Sequence, residues 1–117
     1  MVKTISILGS TGSIGVNALE VISNLKKSFK VKYLSTNKNV DLLISQIKEY
    51  KPKSVAVVDE LAAKRIKSAL DEMGIELLIG KVGLLDLSQR HDIDLVLNGL
   101  VGASGMQPTI NAIKAGV

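Results

Sequence analysis

Short aliphatic runs alternate with amphipathic stretches along the whole chain, and this alternation restricts the fold more than any other feature. The runs are 4–8, 31–34, 54–58, 76–79 and 95–97. Each is brief, rich in Ile, Val and Leu, and nearly continuous in apolar residues, as in strands buried on both faces. Between them, Leu19, Val21, Ile22 and Leu25 follow Ser13, and Val40, Leu43, Ile44 and Ile47 follow Asn39. Leu61, Ala62, Ile66 and Leu70 lie between Asp59 and Gly74. These spacings predict helices, with Asp59 as a cap, Gly74 as a left-handed terminator and Pro52 ending the second helix. Residues 107–116 read as a last helix, with Pro108 in its first turn. The expected fold is one α/β domain over 1–117: a doubly wound parallel sheet, right-handed crossovers and helices on both faces.

Composition agrees with one domain and removes several functions. A chain of 117 residues, 46% hydrophobic and 22% charged, can bury a core of its own, and with 3% aromatics that core is aliphatic. Without cysteine there is no disulfide framework, thiolate metal site or thiol nucleophile, which suits a reducing compartment and an expected cytoplasmic location. The uncharged stretch 95–113 is long enough to span a bilayer but contains Asn98, Gln107, Pro108, Asn111 and three glycines. It reads as strand, glycine-rich loop and helix, so no membrane association is expected. The net charge of +4 comes from lysines spread along the chain, without aromatic interleaving or zinc spacing, so no nucleic-acid partner is expected.

The most informative stretch is Gly9-Ser10-Thr11-Gly12-Ser13-Ile14-Gly15, directly after the first strand and before the first helix. In a nucleotide-binding strand–helix unit, glycines permit the tight turn and the approach of backbone to pyrophosphate, which rests on N–H groups at the helix start. Thr11, Gly12, Ser13 and Ile14 would supply those groups, with the Thr11 and Ser13 hydroxyls as further donors. The spacing is G-x-x-G-x-x-G rather than G-x-G-x-x-G, and a plain connecting turn is the alternative. No G-x-x-x-x-G-K-[ST] occurs, because Gly80-Lys81 is followed by Val82. The stretch from Gly80 to Gly83 is read as a connection.

The end of the second strand addresses cofactor choice. An acid there bonds the ribose of NAD, whereas an NADP site drops the acid and offers a cation to the 2′-phosphate. Between Glu20 and Asp41 there is no acid, and Ser35-Thr36-Asn37-Lys38-Asn39 places polar groups around one lysine. Lys38 would attract a phosphate and Asn37 and Asn39 can donate to it, although a lone lysine is also an ordinary surface residue. Asn39 can cap the following helix as well. A second glycine cluster, at 98–106, follows the fifth strand and would line the same crevice, or form only a turn.

Groups for independent catalysis are missing. His91 is the single histidine, between Arg90 and Asp92, and reads as a solvated loop residue. Asp92 and Asp94 form no recognisable dyad or metal cage with Glu20 or Glu76. No Tyr-x-x-x-Lys pair exists, since Tyr33 meets Asn37 and Tyr50 meets Ser54 at that offset.

At Ile7-Leu8-Gly9-Ser10-Thr11-Gly12-Ser13-Ile14-Gly15 the chain resembles the 1-deoxy-D-xylulose 5-phosphate reductoisomerases. The likeness continues at Asn37-Lys38-Asn39-Val40, at Lys51-Pro52 before Val55-Ala56-Val57, and from Asn98 to Gly105 followed by Pro108-Thr109. These landmarks occur in the family's order. The resemblance implies a Rossmann-like domain in which Thr11, Gly12, Ser13 and Ile14 meet the NADPH pyrophosphate. Asn37, Lys38 and Asn39 would then meet the 2′-phosphate, and residues 99–101 would lie towards the nicotinamide; the family often has glycine at position 37, where this chain has Asn.

The family's Asn-Lys-Glu motif, metal ligands and helical domain would follow Val117, so the chain is expected to be an excised cofactor domain, inactive alone. No catalytic or metal residue is assigned within it. The whole enzyme would be homodimeric, use NADPH and Mg or Mn, and convert a ketose phosphate to 2-C-methyl-D-erythritol 4-phosphate. Two other readings stay open: a non-catalytic nucleotide-sensing module, and a domain of another NADP-dependent dehydrogenase.

Overall fold

The computed structural model describes residues 2–25 and 27–99. Its elements alternate as expected: β1 (Lys3–Leu8), α1 (Ser13–Ser23), β2 (Phe29–Thr36), α2 (Val40–Tyr50), β3 (Ser54–Val57), α3 (Glu60–Met73), β4 (Glu76–Ile79), α4 (Gly80–Ser88) and β5 (Leu95–Asn98). All strand pairs are parallel, and the order across the sheet is β4-β3-β2-β1-β5. The expected helix at 107–116, and the second glycine cluster beyond Gly99, lie outside the described residues.

Topology assigns each helix its face. From β1 to β4 the chain steps in one direction, and right-handed crossovers put α1, α2 and α3 on one side. There Leu19, Ile22, Val40, Leu43, Ile47, Ala63, Ile66 and Leu70 pack onto Ile5, Ile7, Val31, Leu34, Val55 and Val57. From β4 the chain returns past β1 to β5, which places α4 on the opposite side. Leu84 and Leu87 of α4 cover Leu8, Tyr33 and Ala56 there. Burial of each such large aliphatic side chain contributes about 1.5–3 kcal/mol.

Two expectations need correction. The strands are not all buried on both faces: β3 is, but the edge strands β4 and β5 are half exposed, having a neighbour on one side only among the described residues. The stretch from Gly80 to Gly83 is no mere connection but the first turn of α4. Its glycines oppose helix formation locally, and its start at Ile79 lacks a side-chain cap. Packing overrides both, because α4 lies so close to β4 that a Cβ at Gly83 would stand 2.7 Å from the Leu78 carbonyl carbon.

The helix boundaries follow the expected punctuation. Asn39 Oδ1 accepts from Leu42 N at 3.2 Å, and Asp59 Oδ2 accepts from Ala62 N at 2.9 Å. Lys51 closes α2 in the left-handed conformation immediately before Pro52, and Gly74 closes α3 in the same way.

Candidate functional site

The loops after β5, β1 and β2 adjoin because these strands are neighbours in the sheet. The chain reverses direction at β1, so the crevice between the carboxyl ends of β1 and β5 is the topological switch point, where open α/β sheets hold ligands. The loop from Gly9 to Gly12 stands on one side of this crevice and Gly99 on the other. Gly99 N donates to Leu8 O at 2.7 Å, and a Cβ at Gly12 would be 3.9 Å from Gly99 O.

Glycine loop geometry follows from two constraints. Gly9 turns the chain with a φ of +77°, which disfavours a side chain. Gly15, in the first turn of α1, passes so close to the loop that a Cβ would lie 2.3 Å from Gly9 O and 2.5 Å from Ser10 Cα. The loop therefore folds flat against the start of α1. Gly12 occupies the cap position, no side chain caps the helix, and Gly12, Ser13 and Ile14 are exposed. The first N–H groups of a helix have no intrahelical acceptor, so this end offers donors and the positive end of the helix dipole to an anion.

β2 and α2 hold the loop from below. Gly9 N donates to Ser35 Oγ at 2.8 Å and Ser10 N to Ser35 O at 2.8 Å. Gln46 of α2 donates through Nε2 to Ser10 O at 2.8 Å, while its Oε1 accepts from Ser10 Oγ at 2.7 Å. Thr11 Oγ1 and Thr36 Oγ1 share a hydrogen bond of 2.5 Å. The Thr11 hydroxyl, expected as a donor to a ligand, is thus already engaged with β2. The sequence places Ser35 and Thr36 among the polar groups near Lys38 but does not show that they hold the glycine loop, and it gives no sign of Gln46; these contacts join residues 25 to 36 positions apart.

Asn37, Lys38 and Asn39 form the turn between β2 and α2 at the same carboxyl edge, and all three are exposed. Asn37 O accepts from Asp59 N at 3.0 Å and Lys38 O from Val40 N at 2.8 Å, so backbone bonds fix the turn. The Asn39 side chain caps α2, leaving Lys38 as the cation of this turn. The structure brings the first group (Thr11, Gly12, Ser13, Ile14) and the second (Asn37, Lys38, Asn39) to adjacent strand ends, tied through the Thr11–Thr36 bond.

The strongest charge interactions lie at the opposite, amino edge of the sheet. Tyr33 donates to Asp92 Oδ2 at 2.7 Å, Lys32 pairs with the same oxygen at 2.6 Å, and Arg90 pairs with Glu76 at 2.9 Å. Burial would raise the Asp92 pKa, but hydrogen bonds from Lys32 and Tyr33 prevail and hold it down to about 2. The hydrogen bond from Arg90, helped by Ser54, lowers the Glu76 pKa. Burial raises the Tyr33 hydroxyl, assisted by its bond to Asp92. These groups brace the sheet and do not face the crevice; His91 beside them is exposed. Among the described residues, no group of three or more His, Cys, Asp or Glu could hold a metal ion. None of the described helices is long and apolar enough to cross a membrane.

Comparison with known proteins gives one answer throughout. Residues 5–117 match the family profile described as 1-deoxy-D-xylulose 5-phosphate reductoisomerase. A curated relative of that name from Chloroherpeton thalassium is 46% identical over 114 residues, covering 97% of this chain and 30% of the relative. One from Halothermothrix orenii is 41% identical over 116 residues, covering 99% of this chain and 30% of the relative. This chain therefore spans about 30% of the length of these curated relatives. A solved reductoisomerase from Zymomonas mobilis in complex with NADPH superposes with a TM-score of 0.91 at 28% identity, covering 99% of this chain and 30% of that one. A DOX-P reductoisomerase in complex with magnesium gives 0.90 at 26% identity, covering 99% of this chain and 29% of that one.

Proposed function

Since the chain belongs to the 1-deoxy-D-xylulose 5-phosphate reductoisomerase family, we propose that residues 1–117 are the NADPH-holding part of such an enzyme. The observation that carries this reading is the pairing of an uncapped helix start, behind a flat glycine loop, with an acid-free turn bearing Lys38 on the adjacent strand.

The residues fit the cofactor. Backbone N–H groups of Thr11, Ser13 and Ile14 receive the pyrophosphate, with the Ser13 hydroxyl as a further donor, while Gly12, whose N–H donates to Gly9 O at 3.2 Å, contributes close backbone approach. Lys38 faces the 2′-phosphate, where a cation gains and a carboxylate would repel, and Asn37 and Asn39 add polar contacts from the same turn. Bound there, NADPH supplies hydride. The chain's own contribution is to bind, orient and discriminate: the loop fixes the pyrophosphate, and Gly99 leaves the crevice beside β5 narrow enough for close packing.

In the whole protein this part would serve conversion of 1-deoxy-D-xylulose 5-phosphate to 2-C-methyl-D-erythritol 4-phosphate in isoprenoid synthesis. On this reading the catalytic groups, the Mg or Mn ligands and the homodimer contacts belong to further domains. Residues 1–117 alone would then be inactive, and the enzyme would act in the cytoplasm.

Calorimetric titration with NADPH and NADH at fixed low salt tests the site. Tighter binding of NADPH is expected. A folded protein that binds neither, or both equally, would remove the role given to the glycine loop or to Lys38 respectively.

A further inference from the structure

We propose that Gln46 is a positioning residue for the cofactor: its side-chain amide presets the glycine loop from which the N–H groups at the start of α1 are offered to a ligand. This rests on the NADPH reading above. Gln46 is 6% exposed, Ser10 is fully buried and Ser35 is 1% exposed, so the contact is made away from water. The amide grips Ser10 at two points, Nε2 to Ser10 O at 2.8 Å and Oε1 to Ser10 Oγ at 2.7 Å. Its orientation is fixed chemically, because a carbonyl oxygen can only accept and must face the Nε2 donors.

The consequence lies in the distribution of backbone groups. Gly9 N, Ser10 N and Ser10 O are all satisfied inward, by Ser35 and Gln46, and Gly9 O accepts from Gly12 N at 3.2 Å. The inward half of the loop is thus used up before any ligand arrives. The ordering cost of the loop is met on folding rather than on binding, which favours affinity for whatever the outward donors hold. Hydrophobic burial alone would not need Gln at this place on α2, since Leu43 and Ile47 already face the same sheet. Without the amide, Ser10 O would be a buried acceptor lacking this partner, and the loop could turn it outward towards a phosphate, where it repels.

The test uses Gln46→Met, which keeps the volume and loses both bonds, with Ser10→Ala, which loses the Oγ contacts to Gln46 Oε1 and Ser35 O but keeps the bond from Gln46 Nε2, as a milder second variant. Ile44→Ala, a half-buried change on the same helix, is the control for stability lost without touching the loop. Affinities for NADPH, NADH and adenosine 2′-monophosphate are measured for each folded protein. The last carries the 2′-phosphate but neither a 5′-phosphate nor a pyrophosphate.

Gln46→Met should weaken NADPH and NADH alike, by about tenfold or more for the two buried hydrogen bonds lost, and leave adenosine 2′-monophosphate within about twofold. Ser10→Ala should show a smaller loss with the same pattern. Unchanged NADPH affinity overturns the role of Gln46. So does equal loss of all three ligands, or a loss matched by Ile44→Ala, because each marks a merely structural residue. If the unsubstituted protein bound none of the three, the NADPH reading itself would fall, and that outcome is distinct from a failure of Gln46 alone.

Discussion

At the scale of single residues, Lys38 and Gly15 have different parts in the proposed cofactor site. Lys38 is exposed, and in the proposed role its charge is the property used. Lys38→Ala should therefore cost NADPH about tenfold or more in affinity, the scale of a charge-assisted hydrogen bond. NADH should lose almost nothing, and comparable losses in paired titrations would refute the assignment. Gly15 works by having no side chain: in Gly15→Ala the new Cβ would collide with backbone at 2.3 and 2.5 Å. The loop and α1 would have to separate, at about 1–3 kcal/mol of stability, together with loss of both cofactors. Urea unfolding followed by titration reads the two effects. The positions of the glycine loop and of the turn with Lys38 were legible in the sequence because they depend on local spacing. Gln46 was not, for nothing in a polar residue of an amphipathic helix says that it reaches a loop 36 positions away.

At the scale of elements, caps and sheet register set the site's precision. Asn39 and Asp59 each cap a helix through one side-chain acceptor, so Asp59→Ala and Asn39→Ala should both cost about 1 kcal/mol. Only Asn39→Ala should also lower NADPH affinity, which thermal unfolding and titration together would show. Losses of affinity in both variants would make Asn39 a cap alone. Within β2 the register jumps: Ile5 lies opposite Val31 and Ser6 opposite Tyr33, so Lys32 is an extra residue. This bulge leaves Val31 and Leu34 on the α1–α3 face and sends Tyr33 to the other. It also lets consecutive residues Lys32 and Tyr33 both reach Asp92. A strict two-residue alternation could not have foretold that. α4 escaped the sequence reading for a related reason, its glycines being chosen for approach to β4 rather than for helix formation.

Across the whole molecule, the proposed cofactor crevice and the bracing network occupy opposite edges of the sheet, the crevice at the carboxyl ends and the ion pairs at the amino ends. Acid should act through the second. Asp92 titrates at about 2 in the folded protein against an ordinary 3.8, and Glu76 lies below its ordinary 4.5. The unfolded chain takes up these protons first, so the stability they confer is present above about pH 4 and disappears as pH falls towards about 2. Both carboxylates are partly exposed, which keeps the effect modest. Asp92→Asn should flatten this acid limb in urea midpoints measured from pH 6 to pH 2, and an unchanged slope would show that other carboxylates govern it. Tyr33→Phe should cost about 1 kcal/mol at neutral pH, one net hydrogen bond.

The sequence by itself determined the strand–helix order, the caps of α2 and α3, the glycine loop at the end of β1 and the acid-free turn at the end of β2. Each is encoded within one or two turns of chain, by apolar period, by short polar side chains or by glycine, and so can be read locally. Only the tertiary structure decided that β5 returns to the side of β1, that the bulge at Lys32 gives Asp92 two partners, and that Gln46 locks Ser10. Those contacts join residues distant in sequence, and their hydrogen bonds exist only once the sheet and its helices have fixed the distances between them.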